Sequence, residues 1–319
     1  MRPALSPQPS ALANSSITVT LADLIAMRQH ARREEHAASK RVVGSRASSH
    51  ASKLRGRGVD YAESRNYQPG DDIRQMDWRV TARTGRPHTK LFQEERERNT
   101  LLVISHNPSM RFGTRVRFKS VQAARLAALI AWSTTMSGDR VGAIGYGPAL
   151  NAEIKPVGGS RGALRVLRAL HEWDAIAAPG RLVVPLSRAL QRAQRLARPG
   201  SRVILLGDGF DCDAATEQAL SLLARHCDVG AVLLSDPLEH EAPPPARYAL
   251  HSEQGQVLLD FSTATTRQRW TELFEARRAH WIDMLRRRSL RWTMLDTHAE
   301  PELALRTLLG QSARGRGAA

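Results

Sequence analysis

The chain has little that would fasten it covalently or seat it in a bilayer. Its 319 residues include two cysteines, Cys212 and Cys227. They form neither a C-x-x-C pair nor a zinc spacing, so the sequence predicts free thiols in a reducing compartment. No apolar run approaches the roughly 20 residues a membrane span needs, and Leu126–Trp132 is among the longest. Met1–Ser16 carries Arg2 but no apolar core of a secretory signal. A cytoplasmic chain without a transmembrane segment is expected. Lysine is scarce too, limited to Lys40, Lys53, Lys90, Lys119 and Lys155, so arginine supplies most of the net charge of +16 and the pI near 11.1. Such a charge points toward nucleic acid or an anionic membrane. Arginine abundance beside abundant Ala, Gly and Pro also fits a GC-rich coding bias. A basic nucleic-acid- or membrane-binding protein therefore stands as the runner-up, with nucleic acid not expected.

What is present divides the chain. Residues 1–19 and 311–319 read as disordered tails. Residues 20–98 form a charged N-terminal extension, opening with a helix from Thr20 to Ala38 and continuing through a Ser/Ala/Arg/His linker at 45–52. From 99 to 310, short apolar runs alternate with helical stretches. Strands are expected at Leu101–Ile104, Arg140–Tyr146, Val203–Leu206, Asp228–Leu234, Val257–Phe261 and Arg291–Leu295, with a possible edge strand at Ala152–Val157. Helices fall at Val121–Met136, Ser160–Glu172, Leu186–Ala197, from Asp213 to near His226, Thr266–Arg288 and Pro301–Leu309. That alternation predicts an α/β fold with a doubly wound, mostly parallel sheet.

Ligands of such sheets gather beyond the carboxyl ends of the strands, here the turns Ser105–Met110 and Gly207–Asp211. Asp208 and Asp211 read first as turn and capping residues. No G-x-S-x-G elbow is present, and Gly158-Gly159-Ser160 lacks the rest of a P-loop. Neither nucleophilic catalysis nor nucleotide hydrolysis is expected, and no catalytic residue is assigned. The helix bearing Trp270, Phe274 and Trp281 reads as core-facing with a basic outer face.

The densest motif lies between 56 and 98. Arg57 stands between two glycines, and Tyr67-x-Pro69-Gly70-Asp71-Asp72-x-Arg74-x-x-Asp77-Trp78 follows. Ala82-Arg83-Thr84-Gly85 and Phe92-x-Glu94-Glu95 complete it. Neither helical nor strand periodicity explains this packing of charge between single aromatics. An ion-paired network of Asp71, Asp72, Asp77, His88 and Glu94 with Arg57, Arg74, Arg79 and Arg83 is expected, anchored by Tyr67 and Trp78.

At these residues the chain resembles the domain of unknown function 58 family, over residues 20 to 310. The resemblance implies a von Willebrand factor A-like sheet and a role as an adaptor beside a MoxR-type AAA+ ATPase. Other von Willebrand A-domain proteins are further candidate partners, and no enzymatic activity is implied. It also offers a metal test, because that fold commonly holds Mg²⁺ with D-x-S-x-S after the first strand, a Thr, and a later Asp. Here the pattern becomes Ser105-x-Asn107-x-Ser109, an apolar residue stands for the Thr near Val184–Leu190, and Asp208 is the carboxylate that remains. The resemblance therefore implies a degenerate site, with no cofactor expected, Mg²⁺ included.

Overall fold

The computed structural model describes residues 16–42, 60–68, 71–93, 97–176, 182–252 and 255–309. Arg57, Pro69, Gly70, Glu94 and most of both tails lie outside the described residues. The chain divides into two units, one of residues 1–37 with 98–319 and one of residues 38–97.

The larger unit is a mixed α/β fold around a six-stranded, mostly parallel sheet. Its strands are β3 (Asn99–Ser105), β4 (Arg140–Gly147), β5 (Leu150–Gly158), β6 (Arg202–Gly207), β7 (Asp228–Ser235) and β10 (Arg291–Asp296), in the order β10-β7-β6-β3-β4-β5. All neighbours run parallel except β5, the antiparallel edge. Burial on both faces explains why β3, β6 and β7 read as continuous apolar runs rather than alternating ones.

Leu102, Ile104, Ile204, Leu206, Val232, Leu234 and Leu295 face one cluster, filled by α3 (Lys119–Met136), α4 (Gly159–Asp174) and α9 (Pro301–Leu309). Leu101, Val103, Val203, Leu205, Ala231 and Leu233 face the other, under α5 (Leu186–Leu196), α6 (Ala214–Ala224) and α8 (Ala264–Arg287). The expected strand at Val257–Phe261 is not part of this sheet. It becomes β9 (Gly255–Asp260), paired antiparallel with β8 (Arg247–Ser252) in a separate hairpin. A short helix, α7 (Pro237–His240), precedes that hairpin.

The opening helix, α1, runs from Leu21 to Val42, and the Thr20 hydroxyl accepts the Asp23 N–H at its start. Counted from sequence as part of the 20–98 extension, it belongs by packing to the larger unit. Leu24, Met27 and Ala31 lie in the first cluster, and the Trp132 indole donates to the Leu24 carbonyl. Buried Leu24 and Met27 each contribute on the order of 2 kcal/mol. That apolar stripe, rather than sequence proximity to the charged segment, decides where the helix docks.

The smaller unit is a hairpin with a helical insert. β1 (Asp60–Asn66) pairs antiparallel with β2 (His88–Gln93), and a 3₁₀ turn at Ile73–Gln75 precedes α2 (Trp78–Thr84). The hairpin has no alternating apolar face, so period-2 reading did not reveal it. Gly85 ends α2 at φ 71°, the left-handed turn that glycine adopts without Cβ strain.

Candidate functional site

Two buried polar clusters stand at the carboxyl ends of β3, β4 and β6. The first gathers around Asp211, which is 4% exposed. Its Oδ2 accepts the Ser105 hydroxyl at 3.0 Å, the Asn107 amide at 2.8 Å and the Tyr146 hydroxyl at 2.8 Å. Asn107 also clamps the chain before α5, donating to the Val184 carbonyl at 3.0 Å and accepting the Val184 N–H at 2.9 Å. The Asp211 carbonyl in turn accepts the Leu186 N–H. Burial, helped by the neighbouring Asp208 charge, pushes the Asp211 carboxyl up to about 6, against the pull of its three donors. Asp211 is thus the hub of a cross-strand network rather than a cap. The cap of α6 is Asp213.

The second cluster centres on Lys119, the first residue of α3. Its Nζ donates to Asp208 Oδ2 at 2.8 Å and to Glu239 Oε1 at 2.6 Å, and its side chain is 1% exposed. The Phe210 ring lies 5.1 Å and the Phe112 ring 5.8 Å from the ammonium, close enough for cation–π attraction. Burial alone would neutralise this lysine, but Asp208 and Glu239 outweigh it and raise its pKa. Glu239 is fixed by accepting the Asp236 N–H in the capping box of α7. Gly209, at φ 75°, turns the chain directly after Asp208.

The four remnant positions therefore separate. Ser105 and Asn107 join Asp211, whereas Asp208 joins Lys119. The Ser109 hydroxyl is buried without a hydrogen-bond partner among the described residues. Among those residues no group of three or more His, Cys, Asp or Glu side chains is placed to hold a metal. A hard cation would need several free oxygens. Here one Asp208 oxygen and one Glu239 oxygen face an ammonium, and Asp211 Oδ2 already accepts three hydrogen bonds.

The sequence reading missed Lys119, Glu239 and Tyr146. Lys119 carried a signal in hindsight, as one of five lysines in an arginine-rich chain, standing at the entry to an otherwise apolar helix. Glu239 and Tyr146 carried none, because their roles depend on strand pairing. Beside the clusters, His106 packs edge-on against Trp173 with ring centroids 5.9 Å apart. Its Nε2 is buried without a partner among the described residues, and burial, then Arg111, pushes the ring down to about 4.

Arg57 and Glu94 of the expected network lie outside the described residues, and among those described the signature segment shows these contacts. Asp71 pairs with Arg65 at 2.6 Å. Asp72 caps the 3₁₀ turn through the Arg74 N–H, and His88 faces the Arg86 carbonyl. Asp77, 6% exposed, accepts the Ser64 hydroxyl at 2.6 Å and caps α2 through the Val80 N–H. Arg74, Arg79 and Arg83 are exposed and form no ion pair among the described residues. Tyr67 is partly buried. Trp78, expected as an anchor, is 65% exposed.

A family signature described as "Protein of unknown function DUF58" matches residues 63–280. The uncharacterized proteins Rv1480 of Mycobacterium tuberculosis (strain ATCC 25618 / H37Rv) and Mb1516 of Mycobacterium bovis are similar to the chain. Each is 30% identical over 213 residues, 67% of this chain and 66% of the relative. The chain thus spans just under two thirds of their length. Among solved structures, the conserved hypothetical protein BatB from Bacteroides thetaiotaomicron is 15% identical, with a TM-score of 0.43 over 66% of this chain and 97% of that one. An aerotolerance-related membrane protein from Bacteroides fragilis is 12% identical, with a TM-score of 0.41 over 66% and 96%. Among the described residues of the present chain, no helix is long and apolar enough to cross a membrane.

Proposed function

The chain belongs to the DUF58 family, and from that premise we propose that it is a non-enzymatic interaction protein that works with a MoxR-type AAA+ ATPase. In this reading the sheet is of von Willebrand A type, the protein is cytoplasmic, and its Mg²⁺ site has been replaced from within. The carrying observation is Lys119. Its ammonium lies between Asp208 and Glu239 at the carboxyl ends of the strands, so the local negative charge is met by a fixed cation. An ammonium on a helix cannot exchange, polarise a substrate or activate water as a bound divalent ion does. Recognition then falls to the surfaces, and the exposed side chains of Ile73, Arg74 and Trp78 in the signature segment are the first candidates.

Co-purification of the tagged full-length chain from nuclease-treated lysate, with and without ATP and a chelator, tests this. Recovery of an AAA+ ATPase that persists in chelator is the expected result. Absence of any ATPase, with retention of other material lost on nuclease treatment or at raised salt, would replace this reading with that of a basic nucleic-acid binder.

A further inference from the structure

At the opposite rim of the sheet, where the parallel strands begin, three arginines converge on one aspartate. Arg98 Nη2 lies 2.7 Å and Arg202 Nε 3.3 Å from Asp228 Oδ2, while Arg291 Nη2 pairs with Asp228 Oδ1. The Arg98 Nε donates to the Gly200 carbonyl as well. The register explains the convergence. Thr100, Arg202 and Asp228 are successive partners across β3, β6 and β7, and Arg291 is opposite Gly230, two residues beyond Asp228 on the same face. Four chain segments thus bring their charge to one place.

We propose that the Arg98–Arg202–Arg291 cluster is a binding site for a phosphate group. Charge and donor count carry this. Each guanidinium has five N–H donors, whereas one carboxylate offers about four acceptor positions. Among the described residues, three positive charges pair with the one carboxylate of Asp228. Asp228 therefore leaves a surplus of two, which suits a dianion better than a second carboxylate. The guanidinium fork matches phosphate oxygens in pairs, and all the cations here are arginine rather than lysine.

Accessibility is graded as a site requires. The Arg202 side chain is 12% exposed, Arg98 23% and Arg291 40%, so a ligand would enter over Arg291 and meet cations already held in place. Burial, then the repulsion of Arg98, lowers the Arg202 pKa, so the cluster stores like-charge strain that an anion would relieve. Behind it, the Thr100 hydroxyl is fully buried without a hydrogen-bond partner among the described residues. None of these residues belongs to the clusters at the other end of the strands.

The test is the melting temperature of the full chain in inorganic phosphate against sodium chloride of equal ionic strength. For a millimolar site, 10 mM phosphate should raise it by roughly 2–4 °C beyond chloride. Arg291→Gln, at the most exposed position, should fold and lose that increment. Asp228→Asn should melt lower than wild type and recover more in phosphate, because the added anion replaces the missing carboxylate. Equal shifts in chloride, or a phosphate increment retained in Arg291→Gln, would overturn the proposal and leave the arginines as a structural clasp. Sedimentation with phosphatidylcholine vesicles, with and without phosphatidic acid, separates the sources. Arg291-dependent sedimentation assigns the phosphate to a lipid headgroup, and a phosphate shift without sedimentation assigns it to a soluble molecule.

Discussion

Lys119 Nζ stands 2.8 Å from Asp208 Oδ2, with both side chains 1% exposed. A buried ion pair is weak evidence for stability in itself, yet removing one member leaves its partner charged and unmet in a low-dielectric interior. Lys119→Met should therefore lose about 3–5 kcal/mol of unfolding free energy in urea. The triple variant Lys119→Met, Asp208→Asn, Glu239→Gln should regain much of it, since its three neutral groups no longer need one another. Equal losses in the single and triple variants would mean that the lysine stem packs the site and its charge is incidental.

Two groups near the site titrate against each other. The buried Asp211 carboxyl rises to about 6, so the folded state binds its proton more tightly than the unfolded chain does. Its contribution is fully present below the unfolded carboxylate range and is lost as pH rises through about 6. His106 is lowered to about 4, so its contribution is present above the unfolded histidine value and lost as pH falls through about 4. Each is worth on the order of 3 kcal/mol at full extent. The two should nearly cancel between about pH 4 and 6.5. His106→Gln should unmask a stability that climbs on acidification through this window, and Asp211→Asn one that falls. Denaturation midpoints at half-unit pH steps would show it, and parallel profiles for the two variants would refute the opposition.

Asn107 offers a sharper probe of the first cluster. It uses its amide both ways, donating to Asp211 and Val184 and accepting from Val184. Asn107→Asp removes the donations of the amide, that to the Ser105 hydroxyl included, and places a carboxylate beside Asp211. The expected cost is about 2–4 kcal/mol at pH 7, from an unsatisfied acceptor plus like-charge repulsion. It should shrink toward pH 5 as the pair takes up a shared proton. A pH-independent cost would place the effect in geometry alone.

The order of strands and helices was legible because burial writes itself into the chain. Leu101–Ile104 and Val203–Leu206 could hardly be anything but interior strands. The turns after them, singled out from the sequence, carry the two buried polar clusters. What they hold was not legible. Asp208 reads as a lone carboxylate until β6 and α3 bring Lys119 to it from 89 residues away. The strand at Val257–Phe261 was expected, but its partner β8 and the signature hairpin were missed for the opposite reason. Val257 and Leu258 are exposed, and neither the β8 nor the signature-hairpin sequence alternates cleanly between apolar and polar residues.

The signature segment separates into residues that hold it together and residues that face outward. Asp77 is buried, receives Ser64 from β1 and caps α2, so it ties hairpin to helix. Asp77→Ala should cost about 2 kcal/mol, a lost cap plus a lost charged hydrogen bond. Asp72 and Arg74 are exposed, and the hydrogen bond between them is the local cap of a three-residue turn. Replacing both with alanine should change stability by less than about 1 kcal/mol. Beside them, Ile73 is 61% and Trp78 65% exposed, apolar surface that nothing in the folding of this unit requires. Exposed tryptophan next to arginine is the composition of an interface centre rather than of ordinary surface. Trp78→Ala and the Asp72/Arg74 pair should therefore abolish ATPase recovery in the co-purification while leaving the melting temperature in place. Asp77→Ala should lower the melting temperature first and reduce recovery only as the unit unfolds. If the Asp72/Arg74 variant instead melts several degrees early, those residues brace the fold and the contact surface lies elsewhere.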